Sequence, residues 1–224
     1  MHKKLYKEFQ NEVGTAIASF YLWKKIEALA TDKKKRARLN YTPISWSIIL
    51  HSLAVTNLIT MHRIFETDEE CITADNLLKL YLLDISIFSK EQLRSRKDPN
   101  NVNPDWLEEY MYHVYEPTEK DIHILRGELS RRRKIFNEIY RPIRSKLIAH
   151  KVKDFVDISQ KLHAKVSLDE IEEILEFLNA LKDALFDLYM NGREPDLTQY
   201  RINKKFYEND YDNLMQKIIG EISI

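Results

Sequence analysis

The segment IYRPIRSKLIAHKVKDF, residues 139–155, gathers the side chains best suited to chemistry. Arg141, Arg144, Lys146, His150, Lys151 and Lys153 fall within thirteen positions, beside an apolar run of Leu147, Ile148 and Ala149 that can anchor the segment to a core. Such a patch can grip phosphates. Basic residues near a helix C-terminus also interact favourably with its carbonyl end and ordinarily face solvent, so the same residues admit a purely structural reading. In an ideal helix Arg144 and His150 stand about 9 Å apart along the axis and about 120° apart around it. They converge only if the helix ends or bends near His150, if the arginine reaches round, or if a two-fold partner brings a second copy alongside.

Other chemistry finds little support. The chain has no GxxxxGK phosphate loop, no GxSxG elbow, no HExxH pair and no Gly-rich dinucleotide turn. Paired Glu-x-x-His segments of a di-iron bundle are missing. Cys71 is the single cysteine, which excludes an intrachain disulfide and multi-cysteine metal sites and fits a reducing compartment. His62 and Glu66 share a helix face at i,i+4, for which an intrahelical bond is the expected use. No cofactor and no metal are expected.

The elements that must hold the basic segment are helical. Four Gly and six Pro in 224 residues leave few turns for a sheet protein, while 44% hydrophobic and 31% charged residues suit long amphipathic helices. Thirty-five basic and thirty-five acidic residues cancel, so any polyanion must be met locally. Leu5, Phe9, Val13, Ile17, Phe20 and Trp23 form one stripe of a helix over 3–30, which KKKRAR at 33–38 interrupts. A second helix, capped by Thr42 or Ser45, runs to about Phe65 with apolar residues on more than one side, as in a central helix packed on several faces. It carries His51, Asn57, His62 and Arg63, and no membrane partner is expected.

A third helix is expected over 74–93 with Thr73 as cap, then a loop at 96–106 and a short helix near Trp106–Val114. Thr118 with Asp121 opens a long stretch, 119–150, in which Pro142 argues for a kink near 138–141. Ser167 with Glu170 caps a helix that Gly192 ends, and a last apolar helix follows around Leu214–Ile219. VKDFVDI is a short strand possibility. The N-terminus shows no secretory-type apolar core. The expectation is an all-α single domain, 1–224, of about five principal helices including a kinked long one, with its core at about 5–190 and a C-terminal helical extension at 191–224.

RSKLIAHK resembles the arginine-x-lysine-x-x-alanine-histidine segment of abortive-infection U2 (AbiU2-like) proteins, a branch of the HEPN superfamily. WSIILHSLAVTNLITMHRIFE resembles the second helix of that branch, which closes in an arginine, two apolar residues and an acid, here Arg63, Ile64, Phe65 and Glu66. The resemblance covers roughly residues 5–190. It implies a dimeric helical bundle and, in ribonuclease members, metal-independent RNA cleavage. Arg144 would then bind the scissile phosphate and His150 would transfer protons. Ser145 and Glu66 are supporting candidates, and Arg141, Lys146, Lys151 and Lys153 are candidates for nucleic-acid binding. Ser145 stands where family ribonucleases often have Asn, Asp or His.

The resemblance also implies an antitoxin or nucleotidyltransferase partner, a toxin or defence role, and a cytoplasmic location. The tyrosine that such a transferase modifies is replaced by Val152, however, which removes support for that form of neutralisation. Two rival readings remain open: a nucleotide or nucleic-acid binding module without hydrolysis, and a structural or protein-interaction partner in a toxin-antitoxin or defence assembly. The runs KKKRAR and RRRK read as solvated surface or as extensions of an RNA path.

Overall fold

A computed structural model describes residues 2–143 and 167–219. Among these, nine α-helices and no strand are present: α1 (His2–Thr31), α2 (Lys33–Leu39), α3 (Pro43–Phe65), α4 (Ala74–Leu83), α5 (Lys90–Lys97), α6 (Trp106–Tyr112), α7 (Glu119–Ile143), α8 (Leu168–Asn191) and α9 (Lys204–Ile219). The all-α bundle expected from the composition is observed. VKDFVDI and the stretch 144–150 of the long helix lie outside the described residues.

α1 is the axis of the bundle. Its stripe of Phe9, Val13, Ala16, Ile17 and Phe20 is buried, as helical periodicity of the apolar residues requires. α3 packs antiparallel to it, since the Arg63 guanidinium meets Glu12 at 3.2 Å and Asn57 Nδ2 donates to the Ala16 carbonyl at 2.9 Å. α8 also runs antiparallel to α1: Tyr6 donates to the Lys182 carbonyl near one end, and Tyr21 and Lys24 both reach Glu172 near the other. α9 closes over α1 through Tyr211, whose hydroxyl donates to the Ala18 carbonyl, and through the stacked Tyr21 and Tyr207 rings. Ile202 and Tyr211 belong to the main core, so the described residues beyond 190 contribute to the bundle.

Several caps form where the residue types direct. Thr73 Oγ1 accepts from the Asn76 amide, Ser167 Oγ accepts from the Glu170 amide, and α8 ends on Gly192 in the left-handed region at φ 57°. A Cβ at Gly192 would sit 2.6 Å from the Val114 side chain, a second reason for glycine there. Other local expectations change. KKKRAR does not merely interrupt: Asp32 accepts from the amides of Lys34 and Lys35 and starts α2. The helix expected over 74–93 breaks at Asp84 into a 3-10 turn, Ile85–Phe88, and restarts at α5 because Ser89 accepts from the Gln92 amide. Thr42 holds the cap position of α3 without a side-chain cap bond, with Pro43 in the first turn. α9 begins ten residues before Leu214.

The largest departure is α3. The sequence implies a central helix packed on several faces, yet its buried residues are Asn57, Thr60, Met61, Ile64 and Phe65, and none of residues 43–56 is buried among the described residues. α1 covers one side of the helix along its length. The aromatic contact from α7, Phe136 against Phe65, falls at the C-terminal end. α3 is long and apolar enough to cross a bilayer by length and composition alone. Its C-terminal half is nonetheless engaged in protein packing through Asn57 and Phe65.

Glu172 joins three helices. Its carboxylate accepts from Tyr21 at 2.9 Å and from Lys24 at 2.5 Å, both on α1, and from Lys204 of α9 at 2.6 Å. Burial raises the carboxyl pKa, but hydrogen bonds from Lys204, Lys24 and Tyr21 outweigh it and bring the pKa down to about 2. A depressed carboxylate contributes stability above its unfolded pKa of roughly 4.3 that fades as pH falls toward the folded value. Thermal melts of the parent should therefore lose stability between about pH 4.3 and pH 2. Glu172→Gln should melt lower at pH 7, by about 1–2 kcal/mol in unfolding free energy given the half-exposed lysines. It should also show a flatter acid limb over the same interval.

Candidate functional site

Six of the predicted site residues, Arg144, Ser145, Lys146, His150, Lys151 and Lys153, lie outside the described residues. Glu66 and Arg141 lie within them, as do both borders of the segment: α7 delivers the chain at Ile143, and Ser167 begins its return in α8. α7 stays helical through residues 138–141, with Pro142 in its last described turn.

Tyr140 ties the borders together. Its side chain is fully buried, and its hydroxyl donates to the Ser167 carbonyl at 3.0 Å and meets the Glu170 carboxylate at 2.8 Å. Burial, then the hydrogen bond to Glu170, push the phenol pKa upward, so Tyr140 is a neutral donor at any physiological pH. The ring lies against Phe136, which in turn meets Phe65 of α3. Tyr140 was missed as a site-positioning residue because a Tyr two positions before a Pro carries no motif. The separation of 27 residues between hydroxyl and acceptor hides the partner from any local pattern. Glu170, read only as a capping residue, is Tyr140's second partner.

Glu66 and Arg141 are brought together. Glu66 Oε2 lies 3.3 Å from His62 Nε2 and 4.0 Å from Arg141 Nη2, while Oε1 accepts from the Thr67 amide at 2.9 Å. The expected i,i+4 pairing with His62 is present, and the carboxylate also faces the final turn of α7. Glu66 thus faces a cation in the last described turn of α7.

A deeper carboxylate fixes the same helix further back. Asp75, 5% exposed, receives Arg126 through Nε and Nη2 at 3.1–3.2 Å, with Lys79 at 3.6 Å and Arg133 at 4.0 Å. A two-nitrogen arginine grip of this kind sets orientation as well as attraction. α7 is therefore clamped to α4 at Asp75 and to α8 through Tyr140.

Between α1, α3 and the borders of the segment lies an apolar groove of about 400 Å³, with Trp23, Leu53, Leu58, Tyr140, Ile143 and Leu168 among its walls. Ile143 and Leu168 both line it, so the chain leaves the described bundle and re-enters it at the same groove.

A family model for AbiU2, of the HEPN group, matches residues 2–214. The chain belongs to the AbiU2 family. No curated protein and no solved structure gave a match. The match spans both helix ends tied by Tyr140, together with the Arg144/His150 motif between them, and it places an AbiU2-type domain of abortive-infection character across nearly the whole chain. The second-helix resemblance acquires a geometric sense in this AbiU2 chain: the closing acid of that helix, Glu66, is the residue that meets Arg141.

Tyr140→Phe isolates the tie, since it keeps the ring and removes the hydroxyl. The variant should lose about 1–2 kcal/mol of stability, because the Glu170 carboxylate and the Ser167 carbonyl lose the one proton they share in a partly buried place. Hydrogen exchange should accelerate in the first turn of α8, at Ile171 and its neighbours, before it does at the α1–α3 contact. Uniform acceleration throughout the bundle would contradict a local tie.

Proposed function

We propose that this AbiU2-family chain is a metal-independent endoribonuclease acting as a two-fold dimer, a defence or toxin effector that works on RNA in the cytoplasm. The observation that carries the reading is the Arg144/His150 pair inside the family match, in a segment whose borders are joined by Tyr140 and whose approach helix presents Arg141. Fold alone would not carry it, because one fold hosts many functions.

In this reading the RNA 2′-hydroxyl attacks the adjacent phosphorus. The 2′ proton passes to a base, the bond to the 5′-oxygen breaks, and that oxygen takes a proton from an acid. The products are a 2′,3′-cyclic phosphate and a 5′-hydroxyl. His150 suits the proton transfers because imidazole titrates near neutral pH. Arg144 offers a fixed fork of donors to the phosphate oxygens as charge builds. One His150 cannot be base and acid in the same turnover, so the second role falls to His150 of a second copy or to another group.

Lys146, Lys151 and Lys153, with Arg141, supply electrostatic support along the RNA backbone. Ser145 is a candidate to orient a phosphate oxygen. Glu66 is a supporting candidate that holds Arg141 only loosely, at 4.0 Å, in the free chain. A companion antitoxin belongs to the same reading, whereas modification by a nucleotidyltransferase lacks its tyrosine at Val152.

The test uses one set of preparations for sedimentation, RNA binding and single-turnover cleavage. The parent should sediment as a dimer at micromolar concentration. It should cleave RNA in EDTA and leave cyclic phosphate ends. His150→Ala should keep fold and RNA affinity while cleavage falls at least about 10²-fold. Arg144→Ala should weaken both binding and cleavage, and Arg144→Lys should recover only part, since charge returns without the two-pronged geometry. A folded, dimeric His150→Ala that cleaves at the parent rate ends the enzyme reading. RNA binding without cleavage in the parent favours the binding-module alternative.

A further inference from the structure

The two basic runs of the chain have different surroundings. In RRRK, Arg131 pairs with Glu128 at 3.0 Å, Arg132 lies over the Phe177 ring at 5.5 Å, Arg133 bonds Ser130 and faces Asp75, and Lys134 faces Glu138 at 3.9 Å. Each side chain of that run has a neighbour within its own bundle, although Arg131 and Lys134 stay largely exposed. KKKRAR forms α2, in which Leu39 is the buried residue. Lys33, Lys34, Lys35 and Arg36 make no ion pair within 4 Å among the described residues; the one carboxylate beside them, Asp32, accepts from two backbone amides and also feels the charges of Lys34 and Lys35 at longer range. The sequence contains no Asp or Glu from Lys33 to Phe65, in a chain whose total charge is zero.

Where α2 turns into α3, Arg38, Tyr41, Thr42, Trp46 and Ile218 line a cavity of about 380 Å³. Its two aromatic rings differ in setting. Tyr41 is 85% exposed, while Trp46 is half-buried and packed against the small core of Ile26, Leu29, Leu39 and Met215. An anchored indole beside a projecting phenol, next to a run of cations, is the combination with which proteins hold unpaired nucleic acid: rings stack on bases and cations follow the backbone.

We propose that the α2–α3 junction is a second RNA subsite that takes single-stranded RNA. A base stacks on Tyr41 and Trp46, and Lys33, Lys34, Lys35 and Arg36 hold the flanking phosphates. Duplex RNA does not fit this role, because its bases have no free face to stack. Trp46 and Leu53 are seven residues apart, on the same face of α3 and about 10 Å apart along its axis. Leu53 shares the apolar groove with Ile143, the residue before Arg144. The substrate class rests on the ribonuclease reading, but binding at this subsite does not require cleavage.

The experiment measures fluorescence anisotropy with a 2′-O-methyl oligouridine, which binds without being cleaved, against the full chain at several salt concentrations. Tyr41→Ala should weaken binding about tenfold or more, the range of one lost base stack. The triple variant Lys34→Gln, Lys35→Gln, Arg36→Gln should reduce the log–log salt slope by about 2. Circular dichroism and sedimentation on the same samples check fold and assembly. A duplex of the same length should lose nothing on Tyr41→Ala.

Unchanged affinity and salt slope in both variants would overturn the subsite, as would a parent that does not bind the oligonucleotide at low salt. A change of sedimentation without a change in RNA affinity would overturn it in favour of a protein interface, which the exposed Ile44 and Ile48 would serve. Loss of binding in Tyr41→Ala, together with parent-like cleavage by His150→Ala, would leave the subsite standing and remove the catalytic assignment.

Discussion

The hydroxyl of Tyr140 is the contact that holds together the two helix ends bordering residues 144–166. It joins the end of α7 to the start of α8 across 23 residues of intervening chain. A phenol this deeply buried would be costly without acceptors, and here the Ser167 carbonyl and the Glu170 carboxylate both serve. The ring reaches α3 through Phe136 and Phe65. Three helices are thereby fixed relative to one another at the last described turn of α7. Further from the segment, Asp75 holds Arg126 and fixes the rotation of α7 about its axis, which decides the side on which Arg141 emerges.

Charge in this chain is balanced in number but not in place. α8 is the acidic partner: Glu172 takes Lys24 and Lys204, Glu176 accepts the Ile202 amide, and Asp187 takes Arg193 and Tyr200. These contacts bring α1 and the C-terminal part of the chain onto α8. α7 has acids of its own and Asp75 opposite it, so its arginines are mostly satisfied within the fold. α2 and the first half of α3 have no acids, and the field there faces outward. A total of zero is thus compatible with a local surface that attracts a polyanion, because screening limits each group's influence to about 8–10 Å at ordinary ionic strength.

Helix identity was legible in the sequence wherever periodicity and a cap coincide. Val13, Ile17 and Phe20 mark α1, Ser167 and Gly192 bracket α8, and Thr73 starts α4, all as the residue types require. The break at Asp84 was not legible because Leu80, Tyr81, Ile85 and Phe88 preserve helical spacing across it. Ser86 bonding Asp84, and Ser89 capping the next helix, offer the backbone a local alternative. The covering of α3 is hidden for a different reason. Apolar residues on several sides say that a helix can be covered on several sides, and they do not say by what; among the described residues its first half is not. In the site, the link of Glu66 to His62 follows from i,i+4 spacing, whereas its approach to Arg141 and the Tyr140 tie are long-range, beyond the reach of any local rule. The Arg144/His150 pair was found through resemblance and lies outside the described residues, so it stays part of the proposal.

The arrangement around Glu66 bears on how a phosphate could be accommodated. Its carboxylate faces His62 and Arg141 together, and the Arg141 side chain is half-exposed. An ion pair at 4.0 Å with one partner in water is weak, on the order of 1 kcal/mol or less. Arg141 can therefore exchange Glu66 for a phosphate at little cost, whereas Arg126, held by two nitrogens on a buried carboxylate, cannot. The chain thus has two kinds of arginine on one helix: a fixed one that orients α7 and a loosely held one beside the motif. Repulsion between Glu66 and an incoming phosphate is softened by the same neighbours, because Glu66 keeps His62 and the Thr67 amide when Arg141 leaves. A helix clamped at Asp75 and Tyr140 but loosely paired at Arg141 can change the partner of that one side chain while the contacts that orient the helix are kept.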